Sequence, residues 1–201
     1  MDTKDDLIWK SCPENDLWVF NKLTLARKLG YKCGPKGVDV PTPGNYIVRP
    51  CINIMGMSRG AKIVYIEQDT DNHSEIPDGY FWCQLFTGRH LSVDYINQNQ
   101  VLCVEGFKNE NTLYKFNKWL RVKDEIPYPK ILYELQGKHR YVNVEMIGDK
   151  IIEIHLRLNP DFEDNVQEIF PVWENESIIP PTGYKFVESK EYKRLGFFVR
   201  R

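Results

Sequence analysis

Two carboxylates, an imidazole and a guanidinium (Glu145, Glu153, His155 and Arg157) fall in one short stretch, YVNVEMIGDKIIEIHLRLNPD at 141–161. Side chains of these types gathered on one surface suit phosphate or metal-assisted chemistry. Opposed carboxylates repel unless something neutralises them. A divalent cation with oxygen ligands does so, and Mg²⁺ needs few carboxylates when a phosphate supplies the remaining ligands. The alternative is a solvated strand face with Arg157 or Lys150 pairing the acids.

The elements that must position these groups read as two strands around a Gly148-Asp149 turn. Val142, Val144 and Met146 alternate with Tyr141, Asn143 and Glu145. Beyond the turn, Ile152, Ile154, Leu156 and Leu158 alternate with Glu153, His155, Arg157 and Asn159. One face is apolar and the other polar. Turn length sets the register. A two-residue turn would set Glu145 against Ile152 and mix the faces. A three-residue loop, Gly148-Asp149-Lys150, sets Glu145 against Glu153 and Asn143 against His155, and keeps the apolar face clean. That is the expected arrangement.

The 201 residues suffice for one or two domains with a real core. Apolar content is 42% and charged content 27%, as in an ordinary globular chain. A net charge of −1 gives no basic excess for nucleic acid. No apolar run approaches membrane-spanning length, and the polar MDTKDD start is not a signal peptide. Cys12, Cys33, Cys51, Cys83 and Cys103 show no zinc spacing and read as reduced thiols of a cytoplasmic protein.

Along the chain, Cys12-Pro13 breaks any long element near the start. Asn21 to Tyr31 reads as a helix with Asn21 as N-cap and Gly30 as its stop. Tyr46 to Pro50 and Ala61 to Ile66 read as strands around a glycine-bearing loop, INIMGMSRG. Tyr80 to Phe86, Arg89 to Ile96 and Gln100 to Phe107 read as consecutive antiparallel strands, with turns at Thr87-Gly88 and Asn97-Gln98-Asn99. Thr112 to Arg121 reads as a helix with Leu113, Phe116, Trp119 and Leu120 on one side. Pro129 to Gln136 reads as a second helix. Residues 162–185 read as mostly irregular, followed by short strands at Phe186-Val187 and Phe197 to Val199. Strands and helices mix without a βαβ period, so the class is α+β.

Taken in order, these motifs resemble the ATP-grasp superfamily over residues 20–160, most closely its carbamoyl-phosphate synthetase and biotin carboxylase branch. Asn21-Lys22 opens a helix, YIVRP is a strand, NIMGMSRGAK a glycine loop, WCQLFTG a hinge strand and RHLSVDY the strand after it. VNVEMIGDKIIEIHLR is similar to the family's metal-ligand segment. The resemblance implies an ATP-grasp-like fold of two mostly antiparallel sheet subdomains with outer helices. It would be one minimal domain over 1–201, with a subdomain boundary near 86–90 and a C-terminal extension at 162–201.

The function it implies is an ATP-dependent, acyl-phosphate-forming ligase of the carboxylate–amine or thiol type. Mg-ATP would bind between the subdomains, with Mn²⁺ as an alternative ion. Lys22, Arg49, Arg59 and Lys62 would meet phosphates, and Gly56 and Gly60 would close the loop over them. Gln84, Leu85 and Thr87 would border the adenine, and His90 would lie near the nucleotide. Glu145, Glu153 and His155 would be the metal ligands, and Arg157 would stabilise the acyl-phosphate. His155 departs from the family's asparagine, which weakens the Mg²⁺ site or shifts it toward Mn²⁺ or Zn²⁺. The roughly twenty residues ahead of the first long helix cannot form a substrate domain. The implied partners are therefore a small carboxylate or amine substrate, or a subunit that supplies the missing domain, with no nucleic acid and no membrane. A non-catalytic nucleotide- or protein-binding module is the alternative. So compact a chain would suit a phage-encoded or accessory protein.

Overall fold

In the computed structural model, residues 4–52, 59–67, 76–109, 112–163, 165–191 and 193–200 are described. Two antiparallel sheets organise them. The smaller contains β1 (Cys33–Pro35), β2 (Gly44–Pro50), β3 (Lys62–Ile66) and β4 (Tyr80–Gln84), in the order β1-β4-β2-β3. The larger contains β5 (His90–Ile96), β6 (Asn99–Lys108), β7 (Phe116–Arg121), β8 (Tyr141–Ile147), β9 (Lys150–His155), β10 (Glu168–Trp173), β11 (Lys185–Glu191) and β12 (Arg194–Arg200). Its order is β11-β12-β10-β7-β6-β5-β8-β9.

Helices are short. α1 (Lys4–Ser11) stops before Pro13, and a 3-10 turn (Glu14–Phe20) leads into α2 (Lys22–Lys28). Asn21 caps α2, its Oδ1 accepting the Thr24 N–H at 3.0 Å, as the sequence predicts. Pro129 precedes a 3-10 helix, Lys130–Leu135, rather than a full α-helix. Its Leu132 and Leu135 are completely buried. They join Val19, Phe20 and Leu25 over the apolar face of β5, β8 and β9, formed by Leu91, Val93, Tyr95, Val142, Val144, Met146, Ile151 and Ile154. This is the main core, and it leaves the opposite face of the same strands free to carry polar groups.

Several sequence expectations are corrected. β4 and β5, expected as consecutive antiparallel partners, lie in different sheets. Thr112 to Arg121 is not a helix, since Phe116–Arg121 is strand β7, paired with both β6 and β10. Phe116 and Trp119 fill the space over Gly106, where a Cβ would approach their rings at 2.6 and 2.8 Å. The apolar spacing fits a helix equally well, and the vacant ladder edge of β6 decides the outcome. Residues 162–185 are mostly irregular, as expected, but contain one strand the sequence reading did not find, β10. Pro171 hid that strand, but the β7 ladder ends at Ile169, short of the proline. The terminal strands are also longer than expected, forming a β11–β12 hairpin that extends the large sheet.

The β8–β9 hairpin reaches the expected register by a different route. Ile147 pairs Lys150 across a two-residue Gly148-Asp149 turn, and a bulge next to Ile151 inserts one extra residue. Glu145 therefore opposes Glu153, and Asn143 opposes His155. The cost falls on the apolar face, where Ile151 takes the buried position expected of Ile152.

The linker between the sheets is pinned to this turn. Gly88 has φ +124° and Gly148 has φ +60°. A Cβ on Gly88 would lie 2.9 Å from the Gly148 Cα, and one on Gly148 would lie 2.9 Å from the Thr87 carbonyl. The Gly148 N–H also donates to the Arg89 carbonyl at 2.8 Å. Only glycine permits both the conformation and the approach.

Candidate active site

The polar face of the large sheet carries His90, Ser92 and Asp94 from β5, Asn143 and Glu145 from β8, and Glu153 and His155 from β9. Strand register places Ser92 beside Glu145 and Asp94 beside Asn143. Asn143 is buried and donates to Ser92 Oγ and Asp94 Oδ1, both at 2.8 Å. The Asp94 carboxylate accepts the Asn159 backbone N–H at 2.9 and 3.0 Å. This network fixes the start of the segment that follows β9. Burial pushes the Asp94 carboxyl up, against the lowering effect of its Asn159 and Asn143 hydrogen bonds.

Each of the two acids has a partner within the protein itself. Glu145 Oε2 lies 3.3 Å from His90 Nε2. Glu153 lies 3.1 Å from the buried Lys22 ammonium and 3.5 Å from His155 Nε2. Neither Arg157 nor Lys150 serves as the partner. Burial pushes the Glu145 carboxyl up, but the His90 hydrogen bond and the His155 and Lys22 charges outweigh it and hold it at about 2.

β9 is the edge strand, and α1 reaches it. Asp5 accepts a forked pair from Arg157, with Nε at 2.9 Å and Nη2 at 2.7 Å. The same carboxylate lies 3.2 Å from His155 Nδ1. Burial acts to raise the Asp5 pKa, yet His155 and Arg157 hold it far below the usual carboxylate range. His155 thus has a carboxylate at each ring nitrogen. Burial lowers its pKa, but Asp5 and Glu153 win and raise it, which favours the imidazolium. An imidazolium with both nitrogens committed has no lone pair for a metal.

From the small sheet, Arg49 extends over the Phe81 ring at 5.3 Å. Its Nε is buried without a hydrogen-bond partner among the described residues. Burial lowers its pKa, opposed by the charges of Glu153 and Glu145. Lys108, at the end of β6, is likewise lowered by burial against the pull of Glu145. Cations from both sheets therefore bear on one pair of carboxylates.

Of the residues expected from sequence, the structure joins Lys22, His90, Glu145, Glu153, His155 and Arg157 by direct contact, and Arg49 by charge. The others lie in the small sheet and the linker. Gly60 has φ +76°, and a Cβ there would collide with the Tyr80 hydroxyl. Arg59 precedes it, and Lys62 is exposed on edge strand β3. Gln84 closes β4, its Oε1 accepting the Lys32 N–H at 2.8 Å. Leu85 is exposed, and Thr87 packs on Gly148. Gly56 lies outside the described residues. Sequence reasoning missed Ser92 and Asp94, although their alternation with His90 carried the signal. It also missed Asp5, for which the sequence carries none.

Beside the acids opens a cleft of about 130 Å³. Its lining combines aromatic side chains, Tyr114, Phe116, Trp119, Phe162 and Trp173, with charged ones, Asp5, His155, Arg157, Glu191 and Arg194. Among the described residues, no group of three or more His, Cys, Asp or Glu is arranged to hold a metal ion. No helix among them is long and apolar enough to cross a membrane.

No protein-family model matches the chain, and no curated protein matches it in sequence. Solved structures do. The L-amino acid ligase of Bacillus licheniformis superposes with a TM-score of 0.50 at 9% identity, covering 90% of this chain and 66% of the ligase. A protein of Archaeoglobus fulgidus described as an ATP-grasp superfamily member gives 0.48 at 15% identity, covering 91% of this chain and 64% of its own. This chain thus spans less than two thirds of the length of that protein. At such identities the likeness to the ligase shows a shared fold alone.

Proposed function

On the premise that this chain has an ATP-grasp fold, we propose that it is an ATP-dependent ligase that forms an acyl-phosphate from a carboxylic acid. The observation that carries this reading is the Glu145–Glu153 pair, opposed across β8 and β9 and within the charge field of Arg49, whose buried Nε lacks a partner among the described residues. A buried guanidinium N–H without an acceptor is costly, and a phosphate oxygen would satisfy it.

The donor set fits an Mg²⁺ that arrives with a nucleotide. Two carboxylates plus phosphate oxygens and waters suffice for that ion, and Glu145 and Glu153 would hold it, without His155. The ion would supply charge neutralisation at the transferred phosphoryl group. Arg49, Lys22 and Lys108 would hold the phosphates. His90 would keep Glu145 ionised. Arg157 would neutralise the acid substrate and its phosphorylated form. Positioning and charge compensation are the main requirements of phosphoryl transfer. The five free thiols suit a cytoplasmic setting.

The test is a thermal-shift titration with ATP plus Mg²⁺ or Mn²⁺. The native chain is expected to gain melting temperature, and Glu153→Ala to lose that gain. Absence of a shift with either ion sinks the proposal. A specific observation favours a second reading. Lys22 is already spent on Glu153 and Arg157 on Asp5, as in a module that binds a nucleotide or a partner subunit without turnover. Nucleotide binding with no ADP release across a screen of acids, amines and thiols would decide for it.

A further inference from the structure

The Arg157 site holds a carboxylate, and it is the chain's own. Asp5 sits on the guanidinium fork with contacts of 2.7 and 2.9 Å, and His155 Nδ1 is 3.2 Å from the same oxygen atom as the shorter of these. α1 turns Leu7 and Trp9 to solvent, 58% and 46% exposed, and packs Ile8 against the main core. Aromatic side chains share the lining of the cleft. Phe116 and Trp119 are in contact with ring centroids 4.3 Å apart, and Tyr114 meets Trp173 edge-on at 5.7 Å. His90, which also lines the cleft, is 7% exposed and has a buried Nδ1 without a hydrogen-bond partner among the described residues.

On the β12 side Arg194 binds Asp161 at 3.0 Å and Glu191 at 3.2 Å, one cation between two acids, so it is not free to take a ligand carboxylate. A carboxylate that replaces Asp5 on Arg157 adds no net charge at the fork. Removing α1 from the fork also leaves a preorganised bidentate site.

We propose that this cleft is the acceptor subsite for a carboxylic acid with an aromatic or planar apolar body. The carboxylate takes the place on Arg157 and His155 that Asp5 holds in the free chain, and the body lies against Trp119, Trp173 and Phe162. The assignment rests on the ligase reading and names its substrate class. Part of the lining comes from β10 and the segment before it.

The experiment is calorimetric titration of the full chain at neutral pH, without nucleotide, using 3-phenylpropanoate, acetate and 3-phenylpropan-1-ol. The aromatic acid is expected to bind more tightly than either of the others. Asp5→Asn should tighten it by about tenfold or more, because an internal competitor is removed. Arg157→Gln should abolish binding, and Trp173→Ala should erase the preference over acetate. In the native chain, hydrogen exchange over residues 5–11 should quicken at saturating 3-phenylpropanoate, a readout that needs no variant. The proposal is overturned if the alcohol binds as well as the acid, if a folded Asp5→Asn chain binds no more tightly than native, or if exchange over 5–11 is unchanged at saturation. The titration contains no ATP. A failed nucleotide shift with acid binding intact would remove the ligase reading alone, and the reverse result would remove the subsite alone.

Discussion

His155 shows how one side chain can change the chemistry expected of its neighbours. Its spacing from Glu153 follows from strand periodicity and suggests a ligand set. The structure turns its two nitrogens toward Asp5 and Glu153, which favours its protonated form in a row of acids. That outcome depends on Asp5, which is remote in sequence, so no local pattern could have announced it. For Asp94, alternation with His90 sets its face, and the β5–β8 register sets it beside Asn143. Asp94→Ala would leave the Asn159 N–H without its acceptor and the Asn143 amide with one acceptor fewer, costing about 1–3 kcal/mol. Urea unfolding of the variant measures that cost. Asp16 carries a pH prediction. It is buried, yet Lys138 and His139 at 2.9 Å each hold its carboxyl below the ordinary 3.8. A depressed folded pKa gives stability that is present above the unfolded value and lost as pH falls through the folded one. Asp16→Asn should therefore flatten the loss of stability below about pH 4, read as the urea midpoint against pH.

At the scale of elements, the glycine contact between linker and hairpin turn is the most exposed to test. Gly88→Ala places a Cβ at positive φ against the Gly148 backbone. It should cost about 1–3 kcal/mol, seen as a lower melting temperature, and Gly148→Ala should behave alike. A wild-type melting temperature in either variant would show that the linker can move off the turn. The bulge in β9 teaches a related lesson. Pairing of Glu145 with Glu153 was legible because side chains alternate and only some turn lengths keep the faces apart. The actual turn length was not legible, because a bulge restores register as well as an extra loop residue does. β7 was misread for an equally physical reason. Phe116, Trp119 and Leu120 satisfy helical spacing, and only the open edge of β6 makes a strand the better use of them.

For the whole molecule, the large sheet runs without interruption from β9 through β11, so residues 162–200 share its ladders. Deleting the chain from 162 onward would expose the β7 edge next to Phe116 and Trp119, and the shortened chain should self-associate on size exclusion. A monodisperse monomer would show instead that β10–β12 are dispensable to the fold. The sequence by itself determined the class, the strand-rich middle, the α2 cap and the opposed acids on one sheet face. These follow from periodicity, capping and turn chemistry within a few residues, where local geometry leaves few choices. The tertiary structure decided which groups face those acids, that α1 lends Asp5 to Arg157, and that the last three strands line part of the cleft. Each of these joins segments far apart in the chain, and such pairings are set by packing and charge in three dimensions rather than by any local pattern.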